Sequence, residues 1–426
     1  MQRWTNLESI MTKDEKYWAR LKTSLQSIDW NFDYGTYSQA TNTPTFNPRK
    51  YYWWPATFIP EIPQALIQIL TQRGDTVYDP FGGIGTSYFQ SLLLGRNALM
   101  TEVSGVSVKI VRSILELMKS QSDMSQIRNF IFNQTKNYNE NKSYVDEFEG
   151  NTQIDQLEQW FHPSTFNQIL FLSSIGKGDQ PLETGCLSTI GVLGILNTAC
   201  SQKKGWGCIA DNMVPKNKEI AKSDSIKLFN SKISILIDDL IKLKKKLEPL
   251  GSQILSKTIG EESVIHADAR QKSLKNESVD LIITSPPYPN MTDYVTSHRL
   301  SYYYLGQDMK DLRNFSDFKL EIGARTKRSK KDAVEDYVKD MKHVNEVTLP
   351  YLKEGGIACY VLPSFAQDGR NNLNRSRAIG KFLYDIEENG LTKLIELERV
   401  LPKIRRSHNV KWASLDREQI IVYKKV

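Results

Sequence analysis

A chain of 426 residues is long enough for two or three compact units, or for one large domain carrying an insertion. Its 40% hydrophobic and 25% charged residues are those of an ordinary soluble globular protein, and its net charge of +7 suits a polyanionic partner without requiring one. The N-terminal MQRWTNLESIMTKDEK lacks an apolar core of signal-peptide length, and no stretch reads as long and apolar enough to span a membrane, so a cytoplasmic location is expected. Cys186, Cys200, Cys208 and Cys359 show no CxxC spacing and read as reduced, packed thiols, which excludes a disulfide frame and leaves no metal site in view.

In chain order, residues 1–50 are polar and turn-rich and read as an arm lying over the rest. Pro63 suits the first turn of a helix that runs through ALIQIL and ends near Gly74. DTVYDP then reads as a short buried strand, GGIGTS as a glycine turn, YFQSLLLG as a helix closed by Gly95, and Asn97–Glu102 as a second strand. Strand, glycine turn, helix, strand is the opening unit of a doubly wound α/β domain. Residues 105–262 are helix-favouring and rich in Lys and Asn. Their clearest helix places Phe229, Ile233, Leu236, Leu240, Leu243 and Leu247 on one face and stops at Pro249 and Gly251. The α/β pattern resumes in 263–426 with SVIHAD, VDLIITSPPY, GGIACYVLP, LIELERVLP and EQIIVYKK. The predicted organisation is an arm (1–50), the first part of an α/β domain (51–104), a helical insertion (105–262) and the second part of that domain (263–426).

Three groups of residues carry chemistry. In DPFGGIGTS the chain turns after Asp79 through Gly82, Gly83 and Gly85, where the missing β-carbon permits positive φ and close approach to a ligand. No Lys-Ser/Thr follows, so this is not a P-loop, and Tyr88 occupies the third glycine position of the dinucleotide fingerprint. A tight strand-to-helix turn is the plain structural alternative. Glu102 falls at the end of the second strand, where α/β nucleotide-binding folds set a carboxylate against ribose hydroxyls; the alternative is a solvated glutamate. Asp268, in VIHADAR, is either an acceptor for an adenine amino group or a helix N-cap. In Ser285-Pro286-Pro287-Tyr288, two prolines force a rigid exit from a buried strand and remove backbone donors. Ser285 and the Pro286 carbonyl are left to accept hydrogen bonds, and Tyr288 offers a face for a planar base. This suits an amine on a flat heterocycle, although a Pro-Pro-Tyr turn can also merely end a strand.

DPFGGIGTS, Glu102, Asp268 and TSPPY, in this order, resemble the motifs of bacterial amino-methyltransferases that modify exocyclic amines in DNA. WWPATFIPEIPQALI, WFHPSTF and DNMVPK resemble further segments of that family. The SPPY form looks most like the N4-cytosine group, while the N6-adenine group more often has Asp or Asn at the place of Ser285. The resemblance implies a Rossmann-like methyltransferase sheet with a large helical insertion, and S-adenosylmethionine as cofactor. Phe81, Gly83 and Gly85 would serve its methionine end, Glu102 its ribose and Asp268 its adenine, with Asp79 and Thr86 also in the cofactor site. A base of double-stranded DNA would be flipped into the pocket, with Ser285, Pro286, Pro287 and Tyr288 as the catalytic segment. Methylation at cytosine C5 is excluded, because it needs a cysteine nucleophile and none lies near Ser285. Arg325, Lys327, Arg328, Arg405 and Arg406 are candidates for phosphate contacts or simply solvated charge. His298-Arg299 and Tyr302-Tyr303-Tyr304 either border the base pocket or form a packed helix, and the Lys-rich insertion is the candidate reader of the target sequence. A restriction–modification setting, with a cognate endonuclease acting separately, follows from the resemblance. The remaining alternatives are N6-adenine or RNA methylation, and a nucleic-acid-binding protein with a vestigial cofactor fold.

Overall fold

The structure is a computed structural model that describes residues 15–31, 45–57, 59–148, 150–202, 214–248, 261–312, 314–325, 332–365, 370–401 and 415–426. Among the described residues the centre is one sheet of β1 (Thr76–Asp79), β2 (Asn97–Glu102), β3 (Val264–His266), β4 (Val279–Thr284), β5 (Leu352–Phe365), β6 (Leu391–Val400) and β7 (Leu415–Lys425), in the order β3-β2-β1-β4-β5-β7-β6. β3, β2, β1, β4 and β5 run parallel, and β7 is inserted antiparallel between β5 and β6. This is the Rossmann-like sheet expected of the sequence. Strand order reverses between β1 and β4, so the chain leaves their carboxyl ends in opposite directions and opens a crevice there. The glycine turn follows β1 and the SPPY segment follows β4.

Alternation along the strands divides the core. Val77, Leu281, Ile283, Ile357, Cys359, Val361, Ile420 and Val422 pack on one face with α1 (Glu15–Gln26) and α2 (Glu61–Leu70). Tyr78, Ile282, Ala358, Tyr360, Leu362, Ile421 and Tyr423 form a second cluster with α9 (Ala333–Thr348) and α10 (Arg370–Glu388). The described part of the expected arm is thus a packed element, since Trp18, Leu21 and Leu25 of α1 are buried in the first cluster.

Between β2 and β3 lie α4 (Gly105–Lys119), α5 (Met124–Thr135), α6 (Pro163–Ser174), α7 (Leu182–Ala199) and α8 (Ser225–Leu247), while α3 (Thr86–Leu93) joins β1 to β2. α4 packs on β2 and β3 as a crossover helix does; α5 to α8 pack mainly on one another. In α8 the buried positions include all six residues of the apolar stripe predicted from spacing, Phe229 to Leu247. One expectation needs correction. α7 is long and apolar enough, by length and composition, to cross a membrane. Two thirds of it is nevertheless buried, against α4, α6 and α8, which accounts for a helix apolar on all sides.

Glycines in α7 admit this close packing. A β-carbon at Gly191 would lie 2.5 Å from the Phe229 ring, and one at Gly194 would lie 2.1 Å from the backbone carbonyl of Tyr51. Tyr51 in turn donates from its hydroxyl to Asp239 of α8 at 2.6 Å, and Lys50 pairs with the same carboxylate at 2.9 Å. The segment 48–54 is therefore strapped across α7 and α8, which carries Trp54 to the crevice. Gly194→Ala is expected to destabilise the protein by about 1–3 kcal/mol, because a backbone carbonyl cannot move aside as a side chain can. Gly380→Ala in α10, where a β-carbon meets nothing within 4 Å, is the control and should be neutral or stabilising. Denaturant midpoints of the two variants check the contrast.

Candidate active site

The crevice is a cleft of about 840 Å³ including its open mouth, lined by Trp54, Phe81, Gly82, Gly83, Thr86, Glu102, Asp268, Ser285, Pro287, Tyr294 and Glu321. Its floor is the glycine turn. Gly82 passes so close to β2 that a β-carbon would lie 2.8 Å from Met100 Cβ, and its amide donates to the Thr101 carbonyl at 3.0 Å. Gly83 (φ 52°) and Gly85 (φ 80°) both take left-handed backbone that a side chain would strain. Gly85 is then the N-cap of α3, so the first turn of that helix, with Thr86, faces the cleft.

Glu102 is the electrostatic centre of this floor. Its carboxylate accepts from the Gly83 amide and from the Ser104 amide, each at 2.8 Å. Burial raises its pKa to about 7, against the lowering effect of those two amides. Asp79 lies beneath the turn. It is 3% exposed, does not line the cleft, and accepts from the Phe81 amide at 3.0 Å. Burial raises its pKa to about 6, opposed by the Thr284 and Ser87 hydroxyls and the Phe81 amide. Asp79 therefore shapes the turn from below, whereas Phe81, Gly83, Thr86 and Glu102 face the space above.

Asp268 also lines the cleft, but its carboxylate is held by Arg270: Nε lies 3.0 and 2.9 Å from its two oxygens, and Nη2 2.7 Å from Oδ2. Arg270 reaches on to Asp340 of α9, so the orientation of Asp268 is set from outside the cleft. No helix begins at Asp268, so it caps a turn rather than a helix. It accepts locally, from the Arg270 amide at 2.9 Å, and it stands where an amino group in the cleft would meet it.

The SPPY segment is held from three directions. Tyr337 of α9 donates to the Pro287 carbonyl at 3.0 Å, Arg375 of α10 donates to the Pro289 and Asn290 carbonyls at 3.2 and 3.3 Å, and the Asn290 amide donates to Gly323 at 2.9 Å. Ser285 and Pro287 line the cleft. Pro286 is buried, and Tyr288 is half-buried with its hydroxyl on Glu418 at 3.0 Å. An aromatic group that sequence reasoning missed forms another wall: Trp54 stacks on His298 at 4.3 Å and 17°, and on Tyr294 at 5.9 Å. Burial lowers the His298 pKa to about 3, so its ring is neutral. Tyr294 and Glu321 carry no recognisable motif, and Trp54 lies in WWPATFIPEIPQALI without a role that the sequence spells out; all three reach the cleft because the strap and the segment after Asn290 fold back over it.

The other candidates divide. Arg299–Tyr304 is a packed helix in which Arg299, Tyr302 and Tyr303 are buried, which is the second of the two readings considered for it. Arg325 pairs with Asp293 at 3.1 Å, so its charge is already partly matched within the protein. Lys327, Arg328, Arg405 and Arg406 lie outside the described residues, as do Cys208, Pro249 and Gly251. Cys186, Cys200 and Cys359 are buried thiols with no disulfide among the described residues.

The raised carboxyls have a consequence for stability. A carboxyl whose folded pKa lies above its unfolded value stabilises the fold while both states are protonated. That contribution is lost as pH rises towards the folded pKa. Asp79 and Glu102 should therefore make the protein less stable between about pH 4 and 7, each by on the order of 3 kcal/mol. Urea denaturation across this range should show the decline in the wild type and a flatter profile in Asp79→Asn and Glu102→Gln. An unchanged slope in both variants would place the titration elsewhere.

Comparison with known proteins agrees with this architecture. Residues 6–113 match the N6/N4 methylase model, a family described as DNA methylase; the match takes in the glycine turn and Glu102 and ends before Ser285. The chain is 26% identical over 310 residues to the Type II methyltransferase M.BsoBI of Geobacillus stearothermophilus, covering 66% of this chain and 57% of that protein. It is 23% identical over 258 residues to the Type II methyltransferase M.MvaI of Kocuria varians, covering 58% of this chain and 54% of that protein. The matches thus span little more than half the length of these relatives. With the glycine turn, the carboxylate that ends β2 and the SPPY segment gathered on one sheet edge, the chain is similar to the bacterial DNA amino-methyltransferases in both sequence and architecture.

Proposed function

We propose that this protein transfers a methyl group from S-adenosylmethionine to the exocyclic N4 amine of a cytosine in double-stranded DNA. The observation that carries the reading is that Ser285 and the Gly83–Glu102 cradle open onto one cleft. The cleft fits the cofactor. Glu102 offers acceptor oxygens for ribose hydroxyls, Asp268 an acceptor for an adenine amine, and Val103, Leu320 and Ile322 apolar surface for a flat ring. Phe81 and the backbone at Gly83 and Thr86 would receive the methionine end, while Gly85, packed against Phe89 and Val111, and Asp79 hold their turn in shape. The acidic lining from Glu102, Asp268 and Glu321 suits a cofactor that carries positive charge. When bound, the cofactor supplies an electrophilic methyl group.

The chain's own part is positioning and charge stabilisation. A conjugated amine is a poor nucleophile. Ser285 Oγ and the Pro286 carbonyl would accept its hydrogens, draw its lone pair out of conjugation and stabilise the positive charge that grows on nitrogen. Pro287 and the aromatic wall of Trp54 and Tyr294 would border a flipped base. The loop is held at three carbonyls from outside, which keeps the acceptors in place without reorganisation during transfer.

Serine at 285 favours cytosine. The matched family covers N6 as well as N4 methylation, which keeps adenine as the second reading. The two relatives named Type II methyltransferases support a place in a restriction–modification system; a cognate endonuclease acting separately and a cytoplasmic location go with that reading.

Incubation with radiolabelled S-adenosylmethionine and mixed-sequence DNA should label the DNA, and nucleoside analysis should yield N4-methylcytosine. Ser285→Ala should lower the rate by about 100-fold, the usual size of a lost transition-state hydrogen bond at such a site. N6-methyladenine as product would move the assignment to the second reading, and no transfer from wild type would reject both.

A further inference from the structure

Resting on the methyl-transfer reading, we infer that Ser285, Tyr288 and Glu418 form a directed hydrogen-bond relay that takes up the proton lost by the target amine. Glu418 is thereby a positioning residue of the active site, contributed by the antiparallel strand β7.

The direction follows from what each group can do. Glu418 Oε1 lies 3.0 Å from the Tyr288 hydroxyl, and a carboxylate can only accept, so Tyr288 donates to it. With its hydrogen committed there, the Tyr288 oxygen is left as an acceptor, and Ser285 Oγ lies 3.4 Å away on the donating side. That distance is long, as hydrogen bonds in a substrate-free site often are. A Ser285 hydroxyl turned towards Tyr288 keeps its lone pairs for the amine. Without Tyr288 and Glu418, the serine would be as free to donate as to accept.

The surroundings favour an ionised Glu418. Arg399 stands directly across from it on β6, and its guanidinium lies 3.1 Å from Glu418 Oε2. Arg399 is 1% exposed and Glu418 8% exposed. A buried ion pair contributes little net stability for the desolvation it requires, so its place next to the catalytic loop calls for a functional account. Burial, and then the Glu418 charge, push the Tyr288 phenol well above its ordinary value, which keeps it a neutral donor and acceptor. Tyr288 is not among the residues lining the cleft, so its hydroxyl contact, rather than its ring face, is its link to the chemistry.

The step balances. The nitrogen lone pair forms the new nitrogen–carbon bond, and the pair of the broken sulfur–carbon bond stays on sulfur. The nitrogen then gives one proton to Ser285 Oγ as the serine proton passes to Tyr288 and the tyrosine proton to the Glu418 carboxylate. Glu418 ends as the neutral acid and returns its proton to solvent between turnovers.

The test compares wild type, Tyr288→Phe, Glu418→Gln and the double variant in single-turnover methyl transfer to DNA. DNA affinity is measured by anisotropy, and base extrusion by 2-aminopurine fluorescence. Each single variant should lose about 100-fold in the transfer rate constant, and the double should lose no more than the worse single. DNA affinity and the 2-aminopurine signal should stay at wild-type values. Tyr288→Phe transferring at the wild-type rate, losses that multiply in the double variant, or a loss confined to DNA affinity would each overturn the relay while leaving the methyl-transfer reading intact. If Glu418→Gln does not fold, Tyr288→Phe, which keeps the ring, decides alone. A wild type that methylates no DNA removes the parent reading and the relay together.

Discussion

The carboxylate of Glu102, held between the amides of Gly83 and Ser104, ties together the three pieces of chain from which one side of the cleft is made. One amide belongs to the turn after β1, the other to the start of α4, and the carboxylate itself ends β2. Removing this side chain from water costs enough to raise its pKa to about 7, and two well-aligned backbone donors offset that cost. The turn can reach Glu102 only because Gly82 lies against Met100 and Gly83 adopts positive φ. The same contact that closes the sheet edge therefore presents acceptor oxygens to a ligand.

The opposite side of the cleft is built by a different means. Its backbone has no internal ladder to rest on, because the prolines at 286, 287 and 289 donate nothing. Its carbonyls are instead taken by Tyr337 and Arg375 from two helices behind the sheet. Trp54 reaches the site through a strap whose position is set by contacts with α7 and α8, far from the cleft in sequence. Helices that look like an insertion thus help to place an aromatic wall of the site. The antiparallel β6–β7 pair adds the Arg399–Glu418 couple behind Tyr288.

Much of the frame was legible in the residues. The strand from Asn97 to Glu102 and the apolar stripe of α8 were readable because burial periodicity depends only on local geometry. The glycine turn was readable because positive φ demands glycine. What misled is equally physical. α7 has the composition of a membrane span because it is the central helix of its bundle. His298 and Arg299 allowed either a pocket border or a packed helix, and packing alone decided that both are buried, His298 as a neutral ring. Tyr288 reads as a stacking face, but a side chain's direction is settled by what waits for it, and here that is a carboxylate 130 residues away.

The sequence by itself determined the α/β class, the glycine turn through Gly83 and Gly85, the carboxylate that ends the second strand at Glu102, and the serine in the SPPY segment, since these rest on local backbone rules and on residue chemistry. Tertiary structure alone decided that Asp79 supports rather than lines the cleft, that Trp54, Tyr294 and Glu321 wall it, and that Tyr288 turns its hydroxyl to Glu418. Those roles depend on which distant segments share a sheet edge. Strand order and helix packing fix that only once the whole chain has folded.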